Sequence, residues 1–407
     1  MSAPTANMPK ESTIEPTVSG RALKVSFVMI AVGLILTLCA LFGDGALRRL
    51  GFAWLWAAGF VWAIALGSLF FVGLQHVTRA VWSVVVRRVA EMFAASMWAV
   101  GILFIPVMLF VVIYEPFGIF PWADPEVVTG DHVLEGKRPY LNQVFFIARG
   151  VVYFLLWIGF TSYFVRRSLA QDGGGDAAIT VGMRKVSAPF LLVFALTATF
   201  ASFDWFMSLD PHWFSTILGV YVFAGMTVAA LSAIVIAVIW LRASGRLGGG
   251  IVRNDHLYSL GALLFAFTCF WGYIAFSQFM LIWYGNIPEE TVYFIHRTEH
   301  GWLGVTLALV ALRFVLPFFL LLSRDSKMNP RRLIVVSALC LVGQLVDLYW
   351  LIMPQASAAG PRIGWQEFGP LLLMTGILVW CAARFLSRHK PLPVGDPFFQ
   401  KSCDFHL

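Results

Sequence analysis

The sequence predicts an all-α integral membrane protein with ten transmembrane helices. Of its 407 residues, 59% are hydrophobic and only 13% are charged, and the mean hydropathy is +0.79. Soluble domains, by contrast, contain about 25% charged residues. The chain also has ten continuous apolar stretches, each close to the ~20 residues that cross ~30 Å of hydrocarbon. Trp and Tyr cluster near the ends of these stretches, as in the aromatic belts of membrane proteins. These features exclude a soluble enzyme.

The apolar stretches define the predicted elements. A strand of a membrane barrel would show about ten residues of alternating polarity, whereas these runs are long and continuous. We predict helices at 24–42, 53–75, 92–114, 143–165, 188–207, 214–241, 257–284, 301–323, 333–353 and 364–386. Residues 1–23 are polar and lack the apolar core and cleavage site of a signal peptide, so we expect a disordered tail there.

The basic residues indicate an orientation in the membrane. Counted by alternate connections, 21 Lys and Arg fall on the side of both termini and 6 on the other side. The positive-inside rule therefore predicts that both termini are cytoplasmic. This distribution also accounts for the net charge of +7 without a nucleic-acid partner. The longest connection, 115–142, is rich in Pro and acidic residues, and we expect it to contact a partner on the outer side.

Two segments of the chain echo each other. Residues 203–211 read FDWFMSLDP and residues 346–354 read VDLYWLIMP, and in each an Asp precedes a Pro by seven residues near a helix end. The two helices are four spans apart and so run in the same direction, which suggests a parallel repeat. We predict two four-helix bundles, helices 2–5 and 6–9, with helices 1 and 10 peripheral. The corresponding segments are 24–52, 53–210, 211–354 and 355–407.

Ionisable residues inside spans are the main functional candidates, because each costs about 2.5–3.5 kcal/mol on insertion scales. Their bias toward the outer half suggests a polar cavity and a proton path. The candidates for that path are Asp204, Asp347, Arg149, Glu299, His300 and Arg313. Structural alternatives stay open: the carboxylates could cap helix ends, Arg149 could pair with one of them, and Arg313 could bridge the bundles or extend to water.

Cofactor sites are not evident in the sequence. The eight His lie in connections, tails or span ends, which disfavours a membrane haem, and the segment HRTEH at 296–300 is not the zinc motif HExxH. No CxxC pair and no nucleotide-binding glycine motif is present. We therefore expect no catalytic residue and no metal site in this chain.

Several longer strings resemble a known family. They are SFDWFMSLDPHWFSTILGVYVFAG (202–225), YGNIPEETVYFIHR (284–297), FVLPFFLLLSR (314–324) and LVDLYWLIMP (345–354). Together they resemble the ActF subunits, also called quinone-binding subunit 2, of bacterial alternative complex III. These belong to the NrfD or polysulfide-reductase-like membrane subunits. The resemblance covers helices 5 to 9 well and the rest of the chain through topology alone.

The resemblance implies a function. The chain would be a membrane subunit of a quinol:cytochrome c oxidoreductase in the bacterial inner membrane, with Asp204 and its counterpart Asp347 as proton-path carboxylates. Haem c and iron–sulfur clusters would belong to periplasmic partner subunits, and an ActC-like membrane subunit would be the better supported quinol site. Whether this chain also contacts a quinone stays open; the candidate contacts that the resemblance implies are Trp205, Tyr273, Gln278 and Gln344. The alternative is a stand-alone secondary transporter, although transporter repeats are commonly inverted.

Overall fold

A computed structural model of the protein describes residues 16–42, 45–247, 249–357 and 359–407. Within these ranges the chain is helical, and ten helices are long and apolar enough to cross a membrane. They are α1 Pro16–Cys39, α2 Ala46–Val77, α3 Val81–Leu109, α4 Gln143–Gly174, α5 Ala177–Leu209, α6 Leu218–Ala243, α7 Asn254–Gly285, α8 Trp302–Leu321, α9 Pro330–Gln355 and α10 Trp365–Leu386. The prediction of an all-α, multi-pass membrane chain is confirmed.

Four helices begin seven or more residues earlier than predicted: α1 at Pro16, α2 at Ala46, α3 at Val81 and α5 at Ala177. Residues 1–15 of the expected tail lie outside the described part of the chain, but residues 16–23 are helical because α1 begins at Pro16, where the fixed φ of proline suits a first turn. Helix α3 begins at Val81 although Arg87, Arg88 and Glu91 lie within its first three turns. Arg88 Nε lies 3.0 Å from Glu91 Oε2, so these charges neutralise each other inside the helix.

One end of the molecule is covered by the connection between α3 and α4, residues 110–142, which we call the cap. Lys137 Nζ in the cap donates to the backbone oxygen of Pro211, after α5. His212 Nε2 lies 2.6 Å from Asp131 Oδ2 in the cap, and this contact with His212 holds the pKa of the Asp131 carboxyl below its usual value. We call this end of the helices the cap end.

The opposite end is crossed by residues 392–407, which we call the C-terminal strap. Asp396 Oδ2 accepts from Arg87 Nη2 of α3 at 2.7 Å, and both side chains are buried. Farther along, the backbone oxygen of Ser402 lies 2.9 Å from His256 Nε2 of α7. The strap therefore ties the start of α3 to the start of α7, and we call this the tail end.

Close helix packing depends on small residues, as is usual in membranes. A Cβ at Gly67 of α2 would lie 2.7 Å from the Cβ of Ala230 in α6, and these two helices carry the most buried segments of the fold. A Cβ at Gly33 of α1 would lie 2.2 Å from the backbone nitrogen of Leu373 in α10. Each of these helix pairs can approach closely only because glycine occupies the contact.

Helix α8 is interrupted by a wide turn. Residues Ala311–Val315 form a π-helical segment, a feature that occurs frequently at functional sites. Arg313 lies in this turn and is buried. The wide turn therefore places a charged side chain inside the helix assembly.

Candidate functional site

The first buried cluster joins α4 to α5. Arg149 on α4 makes two parallel hydrogen bonds to Asp204 on α5: Nη2 to Oδ1 at 2.7 Å and Nε to Oδ2 at 2.9 Å. The hydroxyl of Tyr153, one turn along α4, donates to Asp204 Oδ2 at 2.9 Å. This two-point contact is the strongest arrangement of a guanidinium and a carboxylate. The expected salt bridge of Arg149 therefore exists, and its partner is Asp204.

The cap closes this first cluster. Arg149 Nη1 donates to the backbone oxygen of Tyr140 at 2.9 Å, and the Tyr140 ring lies 3.8 Å from the guanidinium carbon. Beside Asp204, the indole of Trp205 packs against Trp62, Phe104 and other rings. Trp205, a candidate quinone contact, is thus a fully buried part of an aromatic core.

The second buried cluster joins α8, α9 and α6. Arg313 Nη2 on α8 lies 3.2 Å from Asp347 Oδ2 on α9, and both side chains are buried. The hydroxyl of Tyr221 on α6 donates to Asp347 Oδ1 in a short hydrogen bond. Helices α8 and α9 are each four spans after α4 and α5, so the repeated Asp is accompanied by a repeated Arg on the preceding helix. The sequence did not reveal this partner of Arg313.

Hydrogen bonding in the second cluster is incomplete. None of the three side-chain nitrogens of Arg313 has a hydrogen-bond partner in the described chain, so its contact with Asp347 is an ion pair without hydrogen-bond geometry. Gln344 Oε1 is buried and also lacks a partner there. Gly225 provides the space, because a Cβ at this position would lie 2.8 Å from Arg313 Nη2 and 3.2 Å from Gln344 Oε1.

The second cluster continues along one face of α9. Positions three, seven and ten residues before Asp347 are Gln344, Cys340 and Ser337, all buried. These spacings place the four side chains on one side of a helix. The Ser337 hydroxyl has no hydrogen-bond partner in the described residues. We call these four residues the polar stripe, and it leads from the ion pair toward the tail end.

The same positions before Asp204 are filled differently. They are Ala201, Thr197 and Phe194, and Thr197 Oγ1 already accepts from Trp157 Nε1 at 2.9 Å. Phe194 stacks on Phe70 at 5.1 Å between ring centroids. At these positions of α5 the only polar side chain, Thr197, is already hydrogen-bonded, so the first cluster has no equivalent of the polar stripe there.

Glu299, His300, Tyr273 and Gln278 join neither cluster, whereas Gln344 belongs to the second. Glu299 and His300 are exposed in the connection before α8. Tyr273 and Gln278 on α7 line a cavity of about 680 Å³ between α7 and α8, whereas Gln344 lies beside Arg313. Together with the buried position of Trp205, this means that the four candidate quinone contacts do not form one site.

Three residues of these sites were missed by the sequence analysis. Tyr153 and Tyr221 bond the two carboxylates, and Arg297 is buried beneath the cap-end rings of Tyr293 and Trp350. Arg297 donates to three backbone oxygens and has no ion-pair partner among the residues described, and burial lowers the pKa of its guanidinium. Tyr153 follows Arg149 by four residues, a spacing that could have indicated it.

Comparison with known proteins gives no identification. The sequence matches no protein-family model, and no curated protein matches it.

Proposed function

We propose that the chain is an integral membrane subunit of a bacterial quinol:cytochrome c oxidoreductase of the alternative complex III type. It anchors the redox subunits and takes part in proton translocation across the inner membrane. The observation that carries this proposal is the pair of buried Arg–Asp contacts on α4–α5 and α8–α9, each of which also receives a Tyr hydroxyl, from α4 in the first and from α6 in the second. Ionisable groups kept inside a membrane are costly and mark proton or ion pathways.

The architecture we propose is two four-helix bundles, α2–α5 and α6–α9, with α1 and α10 at the periphery. The close approach at Gly67 would then lie between the bundles, and the contact at Gly33 would hold α1 against α10. The excess of Lys and Arg at the tail end favours cytoplasmic termini and a periplasmic cap.

Proton transfer is assigned to the second bundle. The carboxylate of Asp347 accepts from Tyr221, and the polar stripe on α9 offers buried oxygens with unused hydrogen-bonding capacity. Buried polar groups of this kind hold internal water. A proton would pass along this stripe from the tail end to Asp347 and leave toward the cap end. In the first cluster both carboxylate oxygens of Asp204 accept hydrogen bonds from Arg149 or Tyr153, so we assign this cluster a structural role.

Partners are expected at the cap end and beside the helices. The acidic cap would contact periplasmic iron–sulfur and cytochrome c subunits, which carry the redox centres, and an ActC-like subunit would lie beside the chain in the lipid bilayer. The proposal requires no quinol contact by this chain, since the four candidate contacts are dispersed.

Two measurements test the proposal. Purification in mild detergent should yield the chain together with haem-bearing and iron–sulfur subunits; a clean monomer or dimer would reject it and favour a secondary transporter. In vesicles containing the assembly, Asp347→Asn should lower the number of protons released per quinol oxidised. Glu289→Gln, which changes an exposed carboxylate at the cap end, is the control and should leave that number unchanged.

A further inference from the structure

The cavity between α7 and α8 is an elongated groove that is almost entirely apolar. Along α7 it extends from Cys269 to Phe279, and along α8 from Thr306 to Phe318. At 1.5 Å per residue these stretches are about 15 Å and about 18 Å long. That is about half of the ~30 Å hydrocarbon core, the depth of one lipid leaflet.

The rim of the groove lies on the surface that would face the bilayer. Tyr273, Phe276 and Val310 at the rim are exposed large side chains of two membrane-spanning helices. A ligand would therefore enter from the lipid phase. The wide turn Ala311–Val315 contributes Phe314 and Val315 to the wall.

Two polar side chains of the groove wall make no hydrogen bond to a described residue. Gln278 is 6% exposed, and its amide is unpaired at the outer end of the groove. Trp271 lies about 10 Å deeper along α7, and its Nε1 is buried without a partner. Tyr221 and Thr306 are occupied, because Tyr221 bonds Asp347 and Thr306 bonds the backbone oxygen of Arg297. A buried amide without a partner is costly, so a ligand that accepts from it would be held.

The depth of Gln278 indicates which part of a ligand it meets. It lies seven residues before Gly285, the end of α7, a distance of about 10 Å along the helix. The exposed rings of Trp283 and Tyr284 beyond it are typical of the interface belt. Gln278 is thus at the outer border of the hydrocarbon, where the ester carbonyls of a glycerolipid lie.

From these observations we propose that the groove binds one glycerolipid of the leaflet at the cap end. One acyl chain fills the apolar channel between α7 and α8, and the ester carbonyl of that chain accepts from the Gln278 amide. The length of the channel fits a single-leaflet chain, and the unpaired Gln278 amide at the border of the hydrocarbon fits one ester carbonyl. This site is independent of the proposed function, because it requires neither a redox partner nor proton transfer.

Photolabelling tests the proposal on the full chain, within its assembly if it has one. The protein is placed in phosphatidylethanolamine vesicles with a trace of phospholipid that carries a diazirine at the end of one acyl chain. We expect labelled peptides from the inner part of the groove on α7 and α8. Ala275→Trp, which fills the groove, should abolish this labelling, whereas Leu281→Trp, exposed on α7 outside the groove, should not. Uniform labelling of all helix surfaces, unchanged by Ala275→Trp, would overturn the proposal.

A competition experiment tests the carbonyl contact. Unlabelled diester phospholipid should displace the probe about fivefold better than its diether analogue, the effect of one neutral hydrogen bond. In Gln278→Leu, which keeps the side-chain size, this preference should vanish while the groove is still labelled. Equal competition in the unaltered protein would reject the ester contact. Stronger displacement by a short-chain quinone than by either lipid would replace the glycerolipid with a quinone.

Discussion

The two buried clusters use the same residue types, with Arg and Asp on corresponding helices, but differ in how completely they are bonded. In the first, Arg149 and Asp204 share two hydrogen bonds, and the cap supplies a carbonyl and a ring to the guanidinium. In the second, Arg313 Nη2 lies 3.2 Å from Asp347 Oδ2, and the guanidinium makes no hydrogen bond to a described residue. A saturated ion pair fixes two helices, whereas an unsaturated one retains capacity to exchange protons or bind water.

The residues that precede each Asp along its helix differ in the same way. The first half continues into Ala201, Thr197 and Phe194, and the second into Gln344, Cys340 and Ser337. The first arrangement is saturated with hydrogen bonds, whereas the second, to which we assign the proposed proton path, leaves buried polar groups unpaired. The variants below would separate these roles.

The largest expected effect is the loss of stability in Asp204→Ala. Removing one partner of a buried ion pair leaves the other charge uncompensated, which costs about 3–5 kcal/mol. We expect a large drop in the unfolding temperature in detergent. The double variant Arg149→Met/Asp204→Leu removes both charges and should recover much of the loss; no recovery would mean that the pair is not the source of the effect.

Asp347→Asn should destabilise the protein less than Asp204→Ala. Its amide oxygen can still accept from Tyr221, but the change leaves the buried charge of Arg313 uncompensated, so we expect a loss near the lower end of about 3–5 kcal/mol. Thermal unfolding of the two single variants side by side measures the difference. A loss equal to that of Asp204→Ala would contradict the distinction between a structural and a functional cluster.

Substitutions of single polar residues along α5 and α9 should have smaller effects on stability and should separate the two clusters more sharply. Thr197→Val removes the acceptor of Trp157 and should cost about 1 kcal/mol without changing proton release. Gln344→Leu removes a buried oxygen that has no partner in the described residues, so stability should stay the same or rise while proton release slows. Proton release in vesicles together with unfolding temperatures checks both; slowed release in Thr197→Val would assign a path to the first half as well.

The smallest effect is expected at the exposed contact between the cap and the end of α5. The pKa of Asp131 is lowered in the folded state, so its contribution to cap docking is present above about pH 3.9 and is lost as the pH falls through the lowered value. In His212→Asn that acid dependence should weaken. Hydrogen exchange at Val133 and Leu134, whose amides bond Asp131, reports the docking across an acid series.

The number and approximate positions of the ten apolar helices were predictable because hydropathy reflects length and composition directly. The early start of α3 was not, since Arg87 and Arg88 look like connection residues until their partners Glu91, Asp172 and Asp396 are known. Two of those partners are distant in sequence, and no local pattern indicates them.

The candidate site was predictable in part. The repeated Asp204 and Asp347 and both Arg residues were identified from their position in spans, but pairing them required knowing how α8 faces α9. Arg313 reaches Asp347 from a π-helical turn, which hydropathy does not register. Tyr221 is far from Asp347 in sequence, and only the packing of α6 against α9 brings them together.

The wide turn of α8 also links the interior to the surrounding lipid. The guanidinium of Arg313 lies in the charged cluster, while the next residue, Phe314, forms part of the groove wall. Deleting one codon in this turn would restore a regular helix and rotate one of these side chains out of place. Two adjacent residues of one turn thus have opposite surroundings, a buried carboxylate and an apolar groove, so a backbone shift at either residue displaces the other.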